Sequence, residues 1–329
     1  MSIVGLLGLR EGELRRAWPF FALYAGLFAA FTLADGVALA LFVERSGAES
    51  LPGAYGLVAL ANLLLIAGYM GTAERLGGLR MFQAIVGGAA LAFGLCWAAR
   101  ELGGGTWWFT VPFVAREIAF TLLLLHFGTF LQSYFTRDEL SRVLPAVYAG
   151  GRVGGIAGGV LLQHLGRWPG PRDSLAVFAA MCLLCLAALE WVARASSKRK
   201  DEEGTDPAAQ ADGVGEEEAR SSLGGFLRYA WASPLLFWLS VSSVLFMLVR
   251  WLLNYRYSHH FAEVFESPAD MAEFLGRYAQ WALLGSLVVQ LLVVNRLVSW
   301  LGAHGTYVLF ALLVAGTGLL GTMEMTLTL

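Results

Sequence analysis

Residues 17–43 read AWPFFALYAGLFAAFTLADGVALALFV, and this stretch decides what kind of protein the chain is. Ala17 to Ala34 is an unbroken run of uncharged residues. The apolar core of a secretory signal peptide is only about 7–15 residues long. The run is therefore read as a retained membrane span and not as a leader. A helix rises about 1.5 Å per residue and needs about 20 apolar residues to cross hydrocarbon. The first charge in the stretch, Asp35, then falls inside the membrane.

Eight further stretches of the same kind follow, at 51–73, 80–100, 106–134, 143–165, 173–195, 234–257, 272–296 and 304–326, which makes nine predicted spans. The composition agrees. Of 329 residues, 57% are hydrophobic and 15% are charged, whereas soluble domains carry about 25% charged residues. Too little charge remains to coat a soluble surface, which argues against a water-soluble enzyme and a disordered chain. A net charge of −2 gives no pull toward nucleic acid. The expected class is an all-α, multi-pass membrane protein in contact with the lipid bilayer.

Loop charges set the orientation. With the N-terminus inside, the outer loops hold only Arg45, Arg100, Arg167, Arg172 and Arg256, and the inner loops hold most of the remaining Lys and Arg. The positive-inside rule then places the N-terminus in the cytoplasm, and the expected site is a bacterial inner membrane. Trp18, Trp107, Trp108, Trp168, Trp231 and Trp300 lie at predicted span ends, where an amphipathic ring favours the interface.

Residues 196–222, SSKRKDEEGTDPAAQADGVGEEEARSS, are polar and free of aromatics. Such a segment cannot bury a core and is expected to be a disordered cytoplasmic linker. It separates a six-helix half, 1–195, from a partial second half with three spans, 223–329. If the halves mirror each other, the second is expected to lack its last three spans.

An ionisable side chain in hydrocarbon costs about 2.5–3.5 kcal/mol on insertion scales, so it faces protein or water. Asp35, Arg116, Glu117, Arg152, Arg250 and Arg277 lie within the spans. Measured from the span midpoints, these six can share one layer, and Arg outnumbers acid in it. Asn254 adds a hydrogen-bond donor on the face of Arg250. Three readings of this layer stand, one being that Arg116 or Arg277 reaches the outer interface. Internal ion pairs lock the bundle, for instance Asp35 with an Arg of the seventh span. Alternatively the excess Arg lines a solvated cavity and attracts an anion, since Arg suits carboxylate and phosphate. Asp35 and Glu117 would then be ion-pair partners or proton carriers.

The fifth span contains AGGRVGGIAGGV, in which Gly150, Gly154 and Gly158 recur every four residues, as do Gly151, Gly155 and Gly159. Small residues at this spacing let two helix backbones approach closely. A phosphate loop would need a preceding strand and a following GK[ST]. The three cysteines, Cys96, Cys182 and Cys185, lie in apolar runs and read as packing residues. His259 and His260 diverge on a helix, and the other histidines are isolated. No metal site, no cofactor and no catalytic motif is expected.

FTLADGVALALFVERSGAESLP (31–52), EIAFTLLLLHFGTFLQSYFTRDELSRVLPAVYAGGRVGGIAGG (117–159) and FLGRYAQWALLGSLVVQLLVVNRLVSWLG (274–302) resemble the ATP/ADP translocase family of the major facilitator superfamily. Glu74-Arg75-Leu76-Gly77 is similar to a degenerate form of that superfamily's D-R-x-G loop. The resemblance implies two six-helix halves that rock about a central site. It also implies that spans one, four, seven and ten surround a cavity, flanked by two, five, eight and eleven. The intramembrane charges fall on spans one, four, five, seven and eight. Glu117 matches an acidic position of the family. Asp35, Ala38 and Leu39 depart from it: relatives carry basic residues at the first two and an acid at the third. Arg152 stands where relatives have a small residue.

The expected function is secondary transport of an organic anion by alternating access, with ATP/ADP-type nucleotide antiport as one case. Arg116, Arg152, Arg250 and Arg277 would contact the anion. A second reading is proton-coupled transport of a neutral or cationic solute through Asp35 and Glu117. A third is a transporter-like sensor or scaffold that moves nothing. A membrane enzyme lacks any catalytic constellation.

Overall fold

The computed structural model describes residues 12–99, 107–203, 231, 233–265, 267–290, 293 and 295–327. Among these the chain is helical almost throughout and no strand occurs. The long helices are α1 (Glu13–Ser46), α2 (Leu51–Leu76), α3 (Gly78–Ala98), α4 (Trp107–Gln132), α5 (Arg137–Leu165), α6 (Pro171–Glu203), α7 (Pro234–Val264), α8 (Pro268–Val289) and α9 (Asn295–Leu327). Each overlaps one of the apolar stretches read from the sequence.

Among the described residues, six helical stretches are long and apolar enough to cross a membrane: Glu13–Ser46, Ala48–Leu65, Gly78–Ala98, Trp108–Gln132, Pro171–Ser196 and Leu236–Val264. α5 falls short because its glycines, Arg152, Gln163 and His164 dilute the apolar content. α8 falls short for a like reason, through Glu273, Arg277 and Gln280. α6 runs on past Ser196 to Glu203. The remainder of the expected linker, 204–222, lies outside the described residues, as do the side chains of Glu74, Arg75 and Trp107.

Local chemistry sets the helix ends. α1 stops at Gly47, whose φ of 73° is open to glycine and whose N–H bonds the carbonyl of Val43 at 3.1 Å. α5 starts with a capping box: the Glu139 N–H reaches the Thr136 hydroxyl, and the Glu139 carboxylate accepts from the Thr136 N–H at 2.9 Å. Pro171, Pro234 and Pro268 each open a helix, where a missing N–H costs nothing. At the start of α8, Ser267 and Asp270 exchange hydrogen bonds of 2.7 and 3.1 Å.

The compact units are Met1–Gln280 and Trp281–Leu329, so α8 begins in the first and ends in the second. The second unit holds α9, which bends at Gly302, where φ is 67°. In the first unit, α1 is the central helix. It packs most extensively on α5, then on α6 and α4; α3 packs on α6 and α4, and α2 on α4. Two thirds of the most apolar window of α1 is buried, against none of that of α7. Lipid tails are as apolar as leucine, so close fit rather than water avoidance drives such packing in a bilayer. The core accordingly interlocks rings: Phe20 meets Phe130, Tyr134 and Phe135, and Tyr24 meets Phe28, Phe127 and Tyr148.

Candidate functional site

The glycine pattern of α5 is explained by α1. A methyl group on Gly150 would stand 2.6 Å from the carbonyl oxygen of Phe21, and one on Gly151 would stand 2.7 Å from the Tyr24 ring. On Gly154 and Gly158 it would overlap the carbonyls of Ala25 and Ala29. The next face of α5 meets α8, where the Cβ positions of Gly159 and Gly276 each fall within 2.8 Å of the other's carbonyl oxygen. This second seam continues polar. Gln280 donates to Gln163 at 2.8 Å, and Arg167 pairs with Glu273 at 2.5 Å. α5 is therefore clasped between α1 and α8 by backbone contacts.

At the N-terminal end of α1, Glu13 pairs with Arg142, and Arg16 pairs with Glu139, each at 2.6 Å. The Arg16 guanidinium also lies over the Phe135 ring. The hydrogen bonds that Arg142 donates to the Glu13 carboxylate hold its guanidinium in the charged form beyond the usual arginine range. In the sequence Arg16 and Arg142 stand as inner-side loop charge, and the pairs are not visible there. Glu13 and Glu139, each facing an Arg across two helices, give no sequence signal of their own.

Deeper in the bundle, three of the expected site residues come together. Arg116 of α4 pairs with Asp35 of α1, and it pairs with Glu117 at 3.0 Å. The ion-pair reading had matched Asp35 with an Arg of the seventh span. The partner is on α4 instead: Asp35, measured from the C-terminal end of α1, and Arg116, measured from the N-terminal end of α4, stand at a like depth of about 15 Å at about 1.5 Å per residue, and the rotation of the two helices turns them toward each other. The side chains of Arg116 and Glu117 are buried, whereas that of Asp35 is 57% exposed. Two carboxylates meet one guanidinium, so the cluster carries a net −1 when all three are ionised. The Arg116 Nε is buried and has no hydrogen-bond partner among the described residues.

Aromatic groups adjoin the cluster. Tyr55 of α2 lies in its electrostatic field, beside the buried Ser258 of α7. Its ring contacts Phe113 and stacks nearly parallel to Trp251, with centroids 6.0 Å apart. Tyr55 and Ser258 were not read as site residues. Each stands near the end of its span, where polar side chains ordinarily reach water.

The other expected residues do not join the cluster. Arg152 of α5 and Arg250 and Asn254 of α7 are half-buried, and none makes a hydrogen bond or ion pair among the described residues. Arg152 acts electrostatically on Tyr24. Arg152 and Arg250 both stand about 20 Å from the C-terminal ends of their helices, at 1.5 Å per residue. Those ends lie on one side of the bundle, where Pro169, Gly170, Pro171 and Pro268 line a common cavity of ≈ 540 Å³ with Glu44 and Arg172. Arg277 is exposed and pairs with Glu273 at 2.9 Å along its own helix. Of the four arginines, Arg116 and Arg277 are thus neutralised, and Arg152 and Arg250 are not.

Cys96, Cys182 and Cys185 are buried free thiols. Among the described residues, no group of three His, Cys, Asp or Glu side chains could hold a metal ion. His126, read as isolated, ties three elements together. Its Nδ1 accepts from the Tyr69 hydroxyl at 2.7 Å, and its Nε2 donates to the Gly78 carbonyl at 2.6 Å. No family model, curated protein or solved structure matches the chain.

Proposed function

We propose that the chain is a facilitator-type secondary transporter with nine membrane spans, which moves an organic anion by alternating access. Nucleotide exchange is one case of this reading. The observation that carries it is the pair of half-buried arginines, Arg152 and Arg250, that have no counter-charge among the described residues. An unpaired guanidinium within a span costs several kcal/mol unless water or a ligand meets it. Its planar fork of donors suits carboxylate and phosphate oxygens. Asn254, one helical turn from Arg250, adds a neutral donor on the same face.

Two further features support the reading. The resemblance of 31–52, 117–159 and 274–302 to the ATP/ADP translocase family points to the same transport chemistry. The seam of α5 with α1 is built from small residues that let the two backbones approach closely, which fits these helices together as one body. In this account α1 and α5 move as one piece, and the arginines are presented to alternate sides.

A thermal-shift screen of purified protein in detergent tests the reading. A ligand at about 100 times its Kd stabilises the native state by about 2.7 kcal/mol. Nucleotides or other organic anions are expected to raise the melting temperature, and Arg152→Gln and Arg250→Gln to abolish the rise. Stabilisation by neutral metabolites alone would overturn it.

A further inference from the structure

We propose that Asp35 is a proton-binding site that competes with the transported anion for Arg116. The inference rests on the anion-transport reading above. It adds a coupling ion and an order of events.

The geometry supplies the reasons. Asp35 holds its carboxylate 57% exposed at a depth where a span is surrounded by hydrocarbon. A carboxylate there must face water, so the exposed side of Asp35 marks an aqueous path by which a proton arrives. Glu117 is sealed, with 6% of its side chain exposed. The two acids therefore differ in access although they share one guanidinium. With both ionised the cluster is net −1, and one added proton makes it neutral. A metal ion would meet the Arg116 charge and find too few ligands.

The groups that face Asp35 are Arg116 and Glu117 from α4, and Tyr55 of α2 lies in the same field. The other neighbours of α1 carry Arg152 and Tyr148 on α5, Cys182 and Cys185 on α6, and Arg250 on α7. None of these forms a hydrogen bond or ion pair with Asp35.

The consequence of protonation is local. One proton adds to the Asp35 carboxylate, and the Asp35–Arg116 ion pair is lost. The Arg116–Glu117 pair remains. One N–H of the Arg116 Nη2 is then released while the other stays with Glu117, and the buried Nε has no hydrogen-bond partner among the described residues. An anionic oxygen can take both. The cross-link between α1 and α4 opens, while α1 stays fitted to α5 through Gly150, Gly154 and Gly158. Proton and anion therefore load together, and both leave before Asp35 recaptures Arg116.

Infrared difference spectroscopy of the full chain in lipid tests the site without any substrate. On acidification the wild type should gain one protonated-carboxyl component more than Asp35→Asn, isolated as the difference between the two spectra among the bands of the chain's 25 acids. The same difference should persist in a Glu117→Gln background, with melting curves confirming that the variants fold. Wild-type and Asp35→Asn spectra that coincide overturn the proposal. In proteoliposomes, an inward proton gradient should accelerate anion uptake by the wild type, and the acceleration should be lost in Asp35→Asn. If no anion is taken up but the component follows Asp35, the transport reading fails and the proton site stands. If anions are taken up and the spectra are independent of Asp35, the proton site fails alone.

Discussion

Gly154 of α5 lies so close to Ala25 of α1 that a Cβ at Gly154 would overlap the Ala25 carbonyl oxygen. No side chain can give way there, because the opposing atom is backbone. The contact joins the two helices that carry Arg152 and Asp35, so it governs how the charged groups are held relative to one another.

Gly154→Ala is expected to destabilise the protein by about 1–3 kcal/mol, the usual cost of overpacking. Gly88→Ala on α3, where nothing lies within 4 Å of the added methyl, should gain up to about 1 kcal/mol through helix propensity. Melting curves of the two purified variants check both signs. Equal effects would show that α5 is not fitted to α1 in this register.

Arg116→Leu leaves the buried Glu117 without a counter-charge and should cost about 3–5 kcal/mol. Asp35→Asn removes the half-exposed partner and should cost about 1 kcal/mol or less. Adding Glu117→Gln to Arg116→Leu should recover much of the loss. Denaturation of the single and double variants reads the coupling directly.

Arg152→Gln and Arg250→Gln should change stability little, because neither side chain has an ion-pair partner among the described residues to strand. Both should weaken anion binding. Titration of a stabilising anion into each variant separates this from a structural role, which would lower stability and binding together.

The Gln163–Gln280 bond of 2.8 Å closes the α5–α8 seam. Gln163→Leu should cost about 0.6–1.7 kcal/mol, the range for interhelical hydrogen bonds in membranes. Gln163→Leu with Gln280→Leu should cost less than Gln163→Leu alone, since no donor is then left unpaired. Melting temperatures of the two variants decide it.

The helices were legible because span length and apolarity are local properties. The run from Ala17 to Ala34 needs no knowledge of its neighbours. The spacing of Gly150, Gly154 and Gly158 likewise announced a close helix contact. The partner helix did not follow from that spacing, since any backbone could have filled the groove. That Asp35 and Arg116 share a layer followed from depth along two helices, but their pairing did not: the choice between Arg116 and an Arg of α7 depends on rotation about the helix axes, which no single helix encodes. The pairs Glu13–Arg142 and Arg16–Glu139 and the clasp of His126 by Tyr69 and Gly78 were illegible for the same reason. Each joins residues far apart in the chain whose polarity alone named no partner.

Counterflow in proteoliposomes is the most direct measurement of the central claim. Vesicles containing the purified chain are preloaded with an unlabelled organic anion, and uptake of the labelled anion is followed. The account predicts transient accumulation that is lost in Arg250→Gln and in Arg152→Gln. Absence of accumulation for every nucleotide and organic anion, with neutral solutes driven by a pH gradient instead, would contradict it.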